Sequence, residues 1–304
     1  MESEKFSPAA KDVYIQALRY VVQKEREVRE TGKITVAQLF ELAKRIVDST
    51  EQSEQLNSFA IYYFDTADIT RSHVINTAIF ATVVARGNGY TGDDLIRVCA
   101  AALLHDIGVA RLDVDIMRKM VAELGPEEIN TVKNHSWFGY EIIVGSDKRL
   151  EELAQAVFQH HEKGDGSGYP KRLSEKEILP TAQILSLIDI YESLIHPRNH
   201  RDALIPPEGI QELIKQEGKR FSRPLMKALI ETISIYPVGC YVRLNSGEVA
   251  KVVRTDRHFP NRPQVKILFD AKGQGVRHQI IDLAQNNLLT IKTCIPPPGI
   301  RKIE

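Results

Sequence analysis

Residues 93–108 read DDLIRVCAAALLHDIG. The acidic pair Asp93–Asp94 opens an apolar run that ends in His105-Asp106 and stops at Gly108. Acids first and a glycine last is the order expected of a single helix. The same grammar recurs on both sides of this stretch. Upstream, His73 opens VINTAIFATVVA, which is stopped near Gly87 and Gly89. Downstream, Pro126 and Glu127–Glu128 begin a helix that carries His135. LEELAQAVFQHH (150–161) is a further helix, broken by the glycines of KGDGSGYP. ILSLIDIYESLI (184–195), IQELIKQEGKRF (210–221) and PLMKALIETISI (224–235) follow. Six or more helices with short connections predict an all-α bundle over residues 61–235.

Two flanks complete the chain. Residues 1–60 read as an N-terminal helical segment. Val13, Ile15, Leu18 and Val21 are spaced for one face, and Thr35 before VAQLFELAKRIV is placed to cap a second helix with Gln38 three residues on. The pattern changes at Pro237. YVRLNSG, EVAKVVRT, QVKILFD and LLTIKTCI alternate and are rich in β-branched residues, with turns at Asn245-Ser246-Gly247 and Lys272-Gly273. Residues 236–304 are therefore expected to be a small β domain, SH3-like, whose PPPG segment at 296–299 cannot continue a strand. The fold class is mainly α.

Composition excludes several roles. Forty basic residues balance forty acidic ones, so no global field favours a nucleic-acid polymer. The charged N-terminus lacks a signal-peptide core, and runs such as Val98–Leu104 are too short to span a bilayer. Cys99, Cys240 and Cys294 are odd in number and unpaired in spacing, so neither a disulfide framework nor a thiolate metal site is expected. These features predict a cytoplasmic protein with no membrane partner.

The chemistry concentrates in the helical block. His73, His105, Asp106, His135, His160, His161 and Asp189 all fall there. A carboxylate at Asp106, after a wholly apolar turn, must be paired or bind metal. By itself it reads equally as a helix-end acid satisfied by backbone donors. Adjacent His160 and His161 point about 100° apart on a helix and share a cavity only if it is wide or lies near the helix end, where the glycines that follow place them. Asp189 alone reads as an acid hydrogen-bonded within its helix. Taken jointly, the seven groups exceed one tetrahedral site. Imidazole and carboxylate donors suit iron, manganese, zinc or nickel, and Asp106 could bridge two ions.

The order His73, His105-Asp106, His135, His160-His161, Asp189 resembles the HD superfamily of metal-dependent phosphohydrolases. HHEKGDGSGYP at 160–170 is similar to the HHExxDGxGYP signature of its HD-GYP branch, with no departure. KNHSWFGYEII and EILPTAQILSLIDIYESL fit its flanks. The resemblance covers residues 60–235, and the β tail is similar to an extension found in some members. It implies an HD-type helical bundle and hydrolysis of cyclic dinucleotides, chiefly cyclic di-GMP, in bacterial second-messenger signalling. It implies iron or manganese as cofactor, with the seven residues as ligands and Asp106 and His105 at the catalytic centre. Two such ions about 3.5–4 Å apart would acidify a shared water for in-line attack.

For substrate contacts the resemblance points to Gly168, Tyr169 and Pro170, and to Arg198 and Arg201 in HPRNHRDAL, whose guanidinium forks suit phosphate. Tyr169-Pro170 could equally just pack its loop. His196, His200, His258 and His278 match no ligand position and are expected at the surface. Two departures stand out. Val109 follows HDIG where many members carry lysine. Ile69 sits one turn before His73, where three-metal members carry glutamate, and Asp65 and Asp68 do not take over that face. Both changes favour two metals and a linear dinucleotide product. The rival expectations are a non-catalytic cyclic-dinucleotide receptor and another nucleotide phosphohydrolase of the superfamily. The expected partners are the dinucleotide and either a second copy of the chain or a signalling protein.

Overall fold

The computed structural model describes residues 7–62, 69–119, 123–197, 202–218, 220–277 and 279–295. Its described residues form twelve α-helices followed by five strands. The helices are α1 (Pro8–Thr31), α2 (Leu39–Gln52), α3 (Gln55–Tyr62), α4 (Ile69–Gly87), α5 (Gly92–Leu104), α6 (Val114–Arg118) and α7 (Pro126–Lys133). They continue as α8 (His135–Ser146), α9 (Glu151–Gln159), α10 (Pro180–Ile195), α11 (Pro206–Glu217) and α12 (Arg223–Ile233). A short 3-10 turn, Ile107–Arg111, links α5 to α6.

The bundle is organised around α4. Every residue from Ser72 to Ala85 is buried, and the helix packs against α5, α10, α12 and the N-terminal helices. This burial explains why VINTAIFATVVA lacks a clean polar stripe: a helix covered on all sides is apolar on all sides. It also puts His73, in the first turns of α4, deep in the protein.

The N-terminal helices share this core. Tyr14, Ala17, Leu39, Ile46 and Leu56 are buried in the same hydrophobic cluster as Ile79, Leu104, Leu187 and Leu229. One detail differs from expectation. α2 starts at Leu39 with Gln38 at its N-cap, and Thr35 does not cap it. The Thr35 amide instead donates to Glu27 Oε2 at 2.7 Å, so α1 captures the segment before the helix can begin. Among the described residues no helix is long and apolar enough to cross a membrane.

The strands are β1 (Tyr241–Leu244), β2 (Val249–Arg254), β3 (Gln264–Phe269), β4 (Ile280–Asp282) and β5 (Ile291–Ile295). They form one antiparallel sheet in the order β4-β3-β2-β1-β5. The expected turn at Asn245-Ser246-Gly247 joins β1 to β2, and Gly247 takes φ +98, which a side chain would resist. Val242, Leu244, Ala250, Val252, Val265 and Ile267 make a second, separate core. Each alternates with more exposed neighbours, the period-2 signature that was legible in the sequence. The PPPG segment lies outside the described residues.

Candidate metal centre

The site forms where α4, α5, α8, α9 and α10 converge. His105 ends α5, and Asp106 begins the 3-10 turn. That turn lies very close to α8. A Cβ on Gly108 would sit 1.9 Å from the His135 carbonyl oxygen, so only glycine lets the two segments approach. α9 stops at Gln159, leaving His160 and His161 at its C-terminal end. This is the helix-end placement that adjacent histidines need to face one cavity.

Asp106 stands at the centre, its side chain 18% exposed. Its Oδ2 lies 3.4 Å from His105 Nε2 and 3.8 Å from His73 Nε2. Its Oδ1 lies 3.4 Å from His135 Nε2 and 3.8 Å from His160 Nε2. Asp189, from α10, places Oδ1 3.0 Å from His73 Nε2 and Oδ2 3.7 Å from His161 Nδ1. Two donor groups result, each with its ligand atoms within 4.8 Å of one another. One is Asp106, His135, His160 and His161; the other is His73, His105 and Asp189. All seven residues singled out in the sequence are thus brought together.

The imidazoles are held in one orientation. Nδ1 of His105 donates to the Ala102 carbonyl at 2.8 Å, and that of His135 to Val132 at 2.7 Å. His160 Nδ1 donates to the Val157 carbonyl. His73 Nδ1 meets the Glu192 carboxylate in a short contact. With the proton held on Nδ1 by a carbonyl, Nε2 of His105, His135 and His160 presents a lone pair inward. The ring nitrogens lie close together: His135 Nε2 is 3.4 Å from His160 Nε2 and 3.1 Å from His161 Nε2. Among the described residues, His105 Nε2 is buried without a hydrogen-bond partner. Ring nitrogens crowded together around carboxylate oxygens fit a cation, because buried polar atoms otherwise find partners.

The electrostatics agree. Burial, then the neighbouring His105 and His135, lowers His160 well below the usual imidazole range. Burial and His160 do the same to His161. Burial alone would raise Asp189, but the hydrogen bond and positive field of His73, with His161, hold it well below the ordinary carboxylate value. Neutral imidazoles beside ionised carboxylates are the ligating forms.

Gly168 is buried against the chain it follows. A Cβ there would lie 2.4 Å from the Lys163 amide nitrogen and 2.5 Å from the His161 carbonyl oxygen. Tyr169 stacks on His161, ring centroids 4.7 Å apart, and its amide donates to the His161 carbonyl at 3.1 Å. Pro170 is exposed beside it. Glu162, 1% exposed, ties the loop down by accepting from the amides of Lys171, Arg172 and Leu173 at 2.5, 3.1 and 3.0 Å. Arg198 and Arg201 lie outside the described residues, as do Asp65, Asp68, His200 and His278. His258 is exposed, as expected. Ile69 and Val109 offer no ligand.

Three features were not anticipated. His196, expected at the surface, is 1% exposed at the end of α10, because its ring packs back on Glu192, with Nδ1 2.8 Å from Oε1. Glu192 therefore holds two imidazoles, and Asn76 Nδ2 donates to its Oε1 at 3.3 Å. Asn76 Oδ1 in turn accepts from the Tyr14 hydroxyl at 3.0 Å, so α1 reaches His73 through three hydrogen bonds. The available cue was a second carboxylate, one turn after Asp189, in an apolar helix. Finally, Lys133 Nζ lies over the Tyr169 ring, 5.4 Å from its centroid. It places a cation at the mouth of the site on the tyrosine side.

Comparison with known proteins agrees with this geometry. A family model for the HD domain matches residues 39–225. One for the KOW domain associated with HD domain matches 241–302, which accounts for the SH3-like tail. The cyclic di-GMP phosphodiesterase PdeB of Borreliella burgdorferi is 29% identical over 64% of this chain and 51% of its own length. The cyclic di-GMP phosphodiesterase PA4108 of Pseudomonas aeruginosa is 28% identical over 64% and 47%. The 3'3'-cGAMP-specific phosphodiesterase 2 of Vibrio cholerae is 28% identical over 72% and 42%. The chain thus spans about half the length of these curated relatives. In fold it is similar to Bd1817, a HDG"Y"P protein from Bdellovibrio bacteriovorus, with TM-score 0.60, 20% identity and coverage of 75% of this chain and 72% of that one. With the HD domain matched over more than half its length and that family's histidines and aspartates gathered at one centre, the chain belongs to the HD domain family.

Proposed function

We propose that the chain is a metal-dependent phosphodiesterase that opens a cyclic dinucleotide, cyclic di-GMP first among them, to the linear form. The observation that carries this reading is the placement of Asp106, whose two oxygens face two different sets of imidazoles. His73, His105 and Asp189 would hold one divalent ion, His135, His160 and His161 the other, and Asp106 both. Nitrogen and oxygen donors suit iron, manganese, zinc or nickel, and the resemblance to the HD-GYP branch points to iron or manganese. When bound, such ions neutralise phosphoryl charge and acidify water.

The chain's own residues do the rest. The carbonyls of Ala102, Val132 and Val157 hold the imidazoles in the ligating tautomer. Tyr169, fixed by stacking on His161, offers a flat face to a base or ribose. Its hydroxyl, raised by burial and then by Asp189 and Asp106, stays protonated and able to donate. Lys133 beside it supplies the positive charge that Val109 does not, and Arg198 and Arg201 complete the phosphate contacts. Ile69 contributes no oxygen for a third ion, which favours release of the linear product. The expected compartment is the reducing cytoplasm.

The test is anaerobic purification, loading with iron or manganese, and product identification from cyclic di-GMP and from 3'3'-cGAMP. Linear dinucleotide at two metals per chain is the expected result. Binding without turnover at full metal content would instead establish the receptor reading, which Val109 favours. Turnover of mononucleotides alone would assign the chain to another phosphohydrolase activity.

A further inference from the structure

The fold brings together two cysteines that the sequence separates by 54 positions. Cys294 lies in β5, opposite Val242 of β1, and Cys240 precedes Val242 by two residues. The two are therefore diagonal neighbours on one face of the β1–β5 pair. Their sulfurs are 3.3 Å apart. The backbone around Cys240 is fixed, its amide donating to the Pro237 carbonyl at 3.0 Å and its carbonyl accepting from Val252 at 2.8 Å. A disulfide needs about 2.05 Å between sulfurs, so the pair must close by roughly 1.2 Å, by side-chain rotation together with a small shift of the edge strand β5. The two cysteines are free in the structure, as the sequence led one to expect, but strand pairing brings them side by side.

We propose that Cys240 and Cys294 form a reversible dithiol–disulfide pair, oxidised by small disulfides of the glutathione class, that locks the final strand of the C-terminal domain onto its first. The site does not depend on the phosphodiesterase reading. Cys294 is part-exposed and Cys240 is buried, so Cys294 is the entry sulfur. Cys294 loses its proton to solvent as its sulfur attacks oxidised glutathione, forming a mixed disulfide and expelling one glutathione thiolate. Cys240, having lost its proton to solvent, attacks the Cys294 sulfur, forms the intrachain bond and expels the second glutathione. Two protein thiols are oxidised and one disulfide is reduced to two thiols.

The second step is prepared by the surroundings. The hydrogen bond between the two thiols lowers Cys240 against the effect of burial and raises Cys294, so Cys240 is the better resolving nucleophile once Cys294 carries glutathione. Lowered pKa and a neighbouring sulfur are what distinguish a redox-active pair from inert buried cysteines. Cys99 supplies the contrast. It is fully buried in α5, its thiol pushed up to about 12 by burial, and it should stay reduced.

The native full-length chain is incubated across a ladder of reduced to oxidised glutathione, quenched in acid, alkylated and analysed by intact mass and peptide mapping. The expected result is loss of two of the three alkylatable thiols, with a mass decrease of two hydrogens and a peptide cross-link between positions 240 and 294. Dithiothreitol should reverse it, and the midpoint should not depend on protein concentration. In Cys240→Ser, glutathione should instead remain on Cys294. Three alkylatable thiols at every step of the ladder would overturn the proposal. So would a lasting glutathione adduct in the wild-type chain without the cross-link.

Discussion

Replacing Glu192 by glutamine removes one charge and almost no volume from a position that touches no proposed ligand atom. Glu192 Oε2 receives the Nδ1 proton of His73, while Oε1 receives those of His196, at 2.8 Å, and of Asn76. Glutamine keeps one acceptor oxygen and presents an NH2 group in place of the other. If the NH2 faces His73, two donors collide, and relief requires the His73 proton to move to Nε2, the nitrogen aimed at Asp106 and Asp189. If the amide flips, His73 keeps its acceptor but His196 and Asn76 lose theirs. The second arrangement sets the lower bound and the first the upper. Loss of such outer partners typically lowers metal affinity about 10- to 100-fold, or roughly 1.4–2.8 kcal/mol. The assay is competition for iron or manganese against a chromophoric chelator, with circular dichroism to verify folding. A folded Glu192→Gln variant whose metal affinity stays within twofold of wild type would refute the view that this carboxylate orients His73.

Other substitutions probe the centre directly. Asp106→Ala should lose at least one metal and all turnover, since two cations would face each other without their shared carboxylate; normal metal content and activity would remove Asp106 from the bridge. Lys133→Ala should raise KM for cyclic di-GMP about 10- to 100-fold at unchanged metal content, the loss of one charge-assisted phosphate contact worth roughly 1.5–3 kcal/mol, whereas an unchanged KM would return Lys133 to a solvated surface role. Arg198→Ala and Arg201→Ala should weaken binding to an inactive variant by a similar factor, read by titration calorimetry. The metal-free protein should lose stability as pH falls below 6.5, the ordinary imidazole value. His160 and His161 are depressed in the folded state, so below that pH the unfolded chain binds protons that the folded chain refuses. Asp106 and Asp189, also depressed, add a second loss that begins as the pH falls through the ordinary carboxylate value and is complete below their own lowered pKa. A flat melting temperature from pH 7.5 to 5 would contradict this assignment.

The seven clustered residues were legible through their joint order, which resembles the HD-GYP pattern; four of them, His105, Asp106, His160 and His161, also sit at helix ends marked by an apolar turn before Asp106 and glycines after His161. Those local signals survive without knowledge of packing. Glu192 and His196 were not distinguished, because a polar residue one turn from Asp189 reads equally as part of a wet face, and only the burial of α10 decides. The Tyr14–Asn76 contact spans 62 positions and leaves no periodic trace. Thr35 shows the converse failure, where a correct local preference loses to a tertiary acceptor on Glu27. The β domain was legible as strands and turns, but the closure of β5 onto β1, and with it the meeting of Cys240 and Cys294, depends on long-range pairing.

The bonds from Tyr14 through Asn76 and Glu192 to His73 make α1 a lever with its short arm at the metal centre. α1 lies wholly outside the matched HD segment, which begins at residue 39, and its other face carries solvent-exposed charges such as Arg26 and Glu30. A molecule that grips that outer face and rotates α1 would drag the Tyr14 hydroxyl with it. Asn76 and Glu192 would follow, and with them the tilt of one imidazole. The helix could thus tune the cage from outside without entering it or touching substrate. Trimming the chain to its family boundary would discard that handle along with the tyrosine that works it.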